Sequence, residues 1–200
     1  MNIAITGTVG CGKSYVAAIL AGLMQVECLD TDDLCRDLLQ AGHSGWHELK
    51  KKWPSRFFNE KGDLDRRLLR EAVFAEGDVR CGLEQILHPL VWSIVESRMK
   101  AATERAEHLL VEVPLLFETG WDQGFGHVVT VYAPTPVCLV RATSRDMVSR
   151  RQVESILALQ LSPEEKAGRA DSVIDNSNTW VATVVQASRL ARNLQPPCLD

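Results

Sequence analysis

Apolar positions along this chain follow two rhythms. Short continuous runs occur at "NIAIT" (2–6), "VECLD" (26–30), "HLLVEV" (108–113), "HVVTVY" (127–132) and "SVID" (172–175). Each has the length and β-branched content of a short buried strand. Between them the spacing turns helical. Val16, Ile19, Leu20 and Leu23 fall at i, i+3, i+4 and i+7, one stripe of an amphipathic helix. A helix is expected over about 32–41, another through Leu139 and Val140, and a last one from 178 to about 193. Strands alternating with helices point to an α/β protein whose five-stranded parallel sheet is covered on both faces.

One long stretch breaks the alternation. Residues 43 to 107 carry helical spacing and no strong strand signal, with Leu83, Ile86, Leu87, Leu90, Val91 and Ile94 on one stripe. Pro89 lies inside that stripe, and a proline pushes the preceding residue out of helical geometry, so a break is expected near His88. This stretch reads as a separate helical lobe. Ser149 with Gln152, and Ser162 with Pro163 and Glu165, have the spacing that opens helices. The terminal "QPPCLD" is expected to fray.

Composition narrows the class. The 200 residues are 46% hydrophobic and 24% charged, ordinary values for a soluble globular chain. A net charge of −4 argues against a general nucleic-acid surface, while a local basic cleft stays open. The cysteines Cys11, Cys28, Cys35, Cys81, Cys138 and Cys198 form no C-x-x-C pair, which sets aside zinc-ribbon and dithiol redox readings and leaves reduced thiols as the expectation. There is no signal-peptide pattern, and no apolar run approaches the ~20 residues of a membrane span. A cytoplasmic protein is expected.

The chemistry starts at Gly7-Thr8-Val9-Gly10-Cys11-Gly12-Lys13-Ser14, which satisfies G-x-x-x-x-G-K-[ST] directly between a strand and a helix. Glycines let backbone N–H groups converge on phosphate, and the helix beginning near Lys13 aims its positive end at the same place. Lys13 reaches the β- and γ-phosphates, and the Ser14 hydroxyl suits Mg²⁺. Cys11 reads as a small residue whose amide faces phosphate.

A kinase also needs a group that positions the acceptor hydroxyl, and positive charge on the moving phosphoryl group. Asp30, Asp32 and Asp33 stand at the carboxyl end of the second strand, where α/β sheets collect ligands. One of them can orient or deprotonate a hydroxyl; a helix N-cap with an acidic first turn is the other reading, and the two are compatible. In "RATSRDMVSRR" (141–151), Arg141 and Arg145 share a helix face and suit triphosphate oxygens, with a solvated basic face as the plain alternative. Glu112, ending "LLVE", resembles a Walker B carboxylate. Glu118 reads as structural, and His43 and His47 as surface histidines.

These motifs, in order, resemble the dephospho-CoA kinase family. They are "GTVGCGKS", "DTDDLCR" (family D-x-D-x-x-x-R), "GDLDRRLLREAVF", "LHP" with His88, "EVPLLFE", "VRATSRD", "ILALQ" with Gln160, and "ADSVIDN" with Asn176. The resemblance covers nearly the whole chain. It implies a P-loop kinase fold with strand order 2-3-1-4-5: a core of about 1–42, 108–140 and 170–195, a helical acceptor lobe of about 43–107 and a lid of about 141–169. It implies ATP and Mg²⁺, and transfer of phosphate to the ribose 3′-hydroxyl of dephospho-CoA. By the same resemblance Asp32 is the catalytic carboxylate, beside Lys13, Arg141 and Arg145. Gly10, Cys11, Gly12, Lys13, Ser14, Tyr15 and Asn176 bind nucleotide, and Ser14 meets the metal. Arg36 and Arg66 meet acceptor phosphates, and His88 falls on the acceptor side.

The family usually reads G-G-I-G-S-G-K-S-T in the cradle. Here Thr8, Cys11 and Tyr15 depart from it, and Ile156 or Leu157 stands where many members carry a lid arginine. The expected partners are ATP and dephospho-CoA, for a monomer without nucleic-acid or membrane partners. The rivals are another small-metabolite kinase on the same fold, a nucleotide-dependent switch and an inactive relative.

Overall fold

The computed structural model describes residues 1–146 and 149–194; the expected fraying of 195–200 lies outside them. Five strands form one sheet: β1 (Asn2–Thr6), β2 (Glu27–Asp30), β3 (Leu109–Glu112), β4 (His127–Tyr132) and β5 (Ser172–Asp175). Their order is β2-β3-β1-β4-β5. β1 runs parallel to β3, with Ile3 opposite Leu110, and to β4, with Ile5 opposite Val129. β4 in turn runs parallel to β5. β1 and β3 are buried almost throughout, which is why both read as unbroken apolar runs rather than alternating ones.

The helices are α1 (Lys13–Met24), α2 (Thr31–Leu38), α3 (Ser44–Lys52), α4 (Arg66–Ala75), α5 (Gly77–Glu104), α6 (Thr135–Asp146), α7 (Arg150–Leu157), α8 (Pro163–Arg169) and α9 (Trp180–Leu194), with a 3₁₀ turn at Trp121–Gly124. α7 and α8 open with the capping boxes that Ser149/Gln152 and Ser162/Glu165 lead one to expect. The chain divides into two compact units. One comprises Met1–Leu29 and the chain from Met99 onward, and the other Asp30–Arg98.

The first unit holds the sheet. Val16, Ala17, Leu20 and Met24 of α1 and Ala187 and Ala191 of α9 pack with Ile3, Ile5, Leu110, Val129 and Val131 in one core. The second unit is helical and closes around Leu49, Phe57, Leu69, Ala72 and Val79.

The expected break at His88 does not occur. α5 runs unbroken for 28 residues with Pro89 inside it. Proline removes one backbone hydrogen bond and costs about 3 kcal/mol in a helix interior. Leu87, Val91, Val95 and Met99 are buried on one stripe through that point, and burying each such side chain returns about 1.5–3 kcal/mol. Packing outweighs the local preference.

Candidate active site

The loop after β1 is shaped by close approaches that only glycine allows. Gly10 has φ +81°, and a Cβ there would run into the Cys138 carbonyl oxygen. Gly12 has φ +89°, and its Cβ would collide with the Asn176 carboxamide. Gly12 is also the N-cap of α1, and no side chain caps this helix. A helix start of this kind offers its first N–H groups and its positive dipole end to an anion.

Lys13 and Ser14, the first residues of α1, meet at one atom. Lys13 Nζ and Ser14 Oγ both donate to Glu112 Oε1, each at 2.5 Å. Glu112 is 3% exposed, so this carboxylate is buried and held by charge and hydroxyl together. Its position follows from β3 lying beside β1, Ile5 being opposite Glu112 in the register. Ser14 and Glu112 supply hard oxygen donors, which fits Mg²⁺; that ion takes one or two protein oxygens and fills its shell with water and phosphate. Among the described residues no cluster of three or more His, Cys, Asp or Glu could hold a metal by itself.

Asn176 joins the far side of the cradle. Its Nδ2 donates to the Cys11 carbonyl at 2.8 Å, and Thr183 donates to its Oδ1 at 2.8 Å. Arg141, on α6, donates to the Asn176 carbonyl at 2.8 Å. Arg141 is thus tied to Asn176, and Asn176 to the loop. Arg145 stands one turn further along α6 with an exposed side chain, and Tyr15 is 41% exposed on α1.

Gln160 belongs to the same assembly, although the sequence marks it only as part of a motif. Its Oε1 accepts from the Val9 N–H at 3.0 Å. Leu157 and Val9 pack against Leu139, Ala142 and Val153.

Cys11 is fully buried, and burial pushes its thiol up to about 12, although the Lys13 charge pulls the other way. Only a thiolate is nucleophilic. Iodoacetamide at pH 7.5 is therefore expected to leave Cys11 unmodified in the native protein while labelling the exposed Cys28 and Cys81. Peptide mass mapping reads the difference, and denaturation before labelling should abolish it.

The remaining assigned residues lie in the second unit. Asp30 caps α2, accepting from the Asp32 N–H at 2.8 Å. The N-cap reading of this acidic run is therefore correct for Asp30, and it leaves the exposed Asp32 carboxylate outside the cap. Arg36 pairs with Asp33 on the helix surface. Arg66 donates to the carbonyls of Arg36 and Leu39 at 3.2 and 3.3 Å, fixing α4 to the end of α2.

His88 lies on α5, where burial lowers its pKa and nearby Glu84 partly opposes the shift. A histidine held below its unfolded value of about 6.5 contributes full stability above that pH, and loses it as pH falls through the folded value. The melting temperature should therefore drop between pH 7.5 and 5.5, and His88→Gln should shallow that drop. An unchanged slope in the variant would contradict this role for His88.

A parallel sheet with this strand order, a strand–glycine-loop–helix cradle and a lysine–serine–carboxylate cluster at its mouth define a P-loop kinase. Known proteins narrow the class. A family model described as dephospho-CoA kinase matches residues 1–182. The dephospho-CoA kinase of Desulfotalea psychrophila is 37% identical over 187 residues, covering 93% of this chain and 94% of that one. A solved protein of Thermus thermophilus superposes with a TM-score of 0.82 at 30% identity over 98% of both chains. The dephospho-CoA kinase of Campylobacter jejuni shares the fold, with a TM-score of 0.70 at 23% identity over 96% of both. The chain belongs to the dephospho-CoA kinase family.

Proposed function

We propose that this chain transfers the γ-phosphoryl group of ATP to the ribose 3′-hydroxyl of dephospho-CoA, giving coenzyme A and ADP in the last step of coenzyme A biosynthesis. The observation that carries the reading is the donor cradle: an uncapped α1 whose first two side chains converge on buried Glu112, within a chain matched to this family over residues 1–182.

The residues divide the work. Gly10, Cys11, Gly12 and the start of α1 present backbone N–H groups to the β- and γ-phosphates. Lys13 places its ammonium beside those phosphates, where charge on the transferring group must be balanced. Tyr15 completes the α1 face of the nucleotide site. Ser14 and Glu112 would hold Mg²⁺ with their hydroxyl and carboxylate oxygens. Mg²⁺ held there would offset the charge of the phosphates. Arg141, fixed by the Asn176 carbonyl, and Arg145, one turn further on, supply guanidinium groups to the polyphosphate. Asn176 borders the adenine.

Asp32 orients the acceptor hydroxyl and takes its proton. In support, Asp30 rather than Asp32 performs the capping, so the Asp32 carboxylate is available to a substrate. Arg36 and Arg66 receive acceptor phosphates, and His88 lines the acceptor side. Residues of about 43–107 form the acceptor lobe and 141–169 the lid, with the core made of about 1–42, 108–140 and 170–195. The protein works as a cytoplasmic monomer on small molecules without nucleic acid. Among the described residues no helix is long and apolar enough to cross a membrane.

The test is a coupled ADP-release assay with MgATP and parallel acceptors. ADP release is expected with dephospho-CoA and not with nucleoside monophosphates or shikimate. Release driven by one of those others would make this a different metabolite kinase. Slow release independent of any acceptor would make it a nucleotide switch.

A further inference from the structure

A lysine with no exposed side-chain surface lies outside the roles assigned above. Lys166 is the fourth residue of α8, and its Nζ donates to the Pro114 carbonyl at 2.8 Å and pairs with Glu118 at 2.9 Å. Both partners belong to the segment that follows β3. Glu118 also reaches the backbone, where its Oε1 accepts from the Leu161 N–H at 2.8 Å. The residue before Leu161 is Gln160, whose side chain holds the Val9 N–H of the cradle at 3.0 Å. The Pro114 carbonyl also accepts from Thr6 Oγ1 at 3.3 Å, at the end of the strand that leads into the cradle. The contacts close into a ring: Thr6, Pro114, Lys166, Glu118, Leu161 and Gln160, and back to Val9.

Burying an ammonium and a carboxylate together is costly, and an apolar pair of similar volume often serves stability as well or better. Stability alone is therefore a weak reason for an ion pair here. The geometry points to another. We infer that the Lys166–Glu118 pair is a positioning element for the donor site. It fixes the backbone at Leu161 so that Gln160 keeps the Val9 amide, and with it the cradle turn, in the shape that receives ATP. Lys166 touches neither phosphate nor acceptor; it acts through Glu118 and Gln160. Val9 and Leu157 also pack against the same small core of Leu139, Ala142 and Val153, which supports the turn without the ion pair.

The inference rests on the donor-site reading above, and its test separates the two. MgATP affinity is measured by displacement of a fluorescent ATP analogue, and KM for ATP and for dephospho-CoA by ADP release. Wild type without acceptor-dependent release would end the kinase reading, while the displacement assay would still test the ring. Gln160→Ala, Lys166→Met and the double variant Glu118→Leu/Lys166→Met are compared. Each is expected to weaken MgATP by about five- to tenfold, the scale of one lost hydrogen bond. KM for dephospho-CoA should stay within about twofold, since none of the residues proposed for the acceptor belongs to the ring.

The double variant is decisive because it removes both charges of the pair and so recovers melting temperature, but it does not restore an acceptor for the Leu161 N–H. Recovered stability with weak MgATP binding supports the positioning role. Recovered stability with wild-type MgATP affinity reduces the pair to a structural contact and overturns it. Gln160→Ala binding MgATP like wild type overturns it as well, whatever happens to the lysine variants.

Discussion

Lys13→Met is expected to lower kcat by about 10³-fold, the loss seen when one preorganised charge-stabilising donor is removed. In the proposed reading the ammonium, carried on the first turn of α1, balances the charge that gathers on the transferring phosphoryl group. Instability adds to the loss. Lys13 and Glu112 are both nearly buried, with side chains 12% and 4% exposed, and removing one partner of such a pair costs about 3–5 kcal/mol. A second variant divides the two effects. Lys13→Met with Glu112→Gln leaves no unpaired buried charge and should recover much of the melting temperature while remaining inactive. Recovery of turnover together with stability would mean that Lys13 serves the fold and not the phosphoryl group.

Asp32→Asn is expected to lower kcat by about 10²- to 10³-fold, within the range for a general base. The fold should hardly notice, because Asp32 is exposed and surface changes of this kind stay within about 0.5 kcal/mol. Asp30→Ala makes the contrast. It removes the side chain that caps α2, for a loss of about 1 kcal/mol. Steady-state rates and thermal melts on both variants would thus part the carboxylate proposed as catalytic from the capping one. Near-wild-type turnover in Asp32→Asn would remove the role assigned to it.

Much of this fold is legible in the sequence. The cradle motif depends on local chain chemistry, so its glycines, lysine and serine declare themselves within eight positions. The inner strands β1, β3 and β4 are visible because burial on both faces demands unbroken apolar runs, as in "LLVE". Other features depend on residues distant in sequence and are hidden for that reason. Pro89 obeys local rules in announcing a break, but the buried stripe from Leu87 to Met99 overrides them.

Lys166 is the clearest case. Within "PEEKAGR" it reads as one more charge on a surface helix. Its burial comes from Pro114 and Glu118, 52 and 48 residues earlier, and no local pattern encodes that. Gln160 and Asn176 lie between these extremes. Their motifs mark the positions, and the structure supplies the atoms they hold, the Val9 amide and the Cys11 carbonyl.

Nothing tests the kinase reading more directly than the identity of the product. Wild-type protein is incubated with MgATP and dephospho-CoA, and the mixture is followed by mass spectrometry and phosphorus NMR. The expected product is heavier than dephospho-CoA by one phosphoryl group and carries a new phosphomonoester on the ribose 3′-oxygen, in amounts equal to the ADP formed. ADP appearing while dephospho-CoA is recovered unchanged would refute that reading.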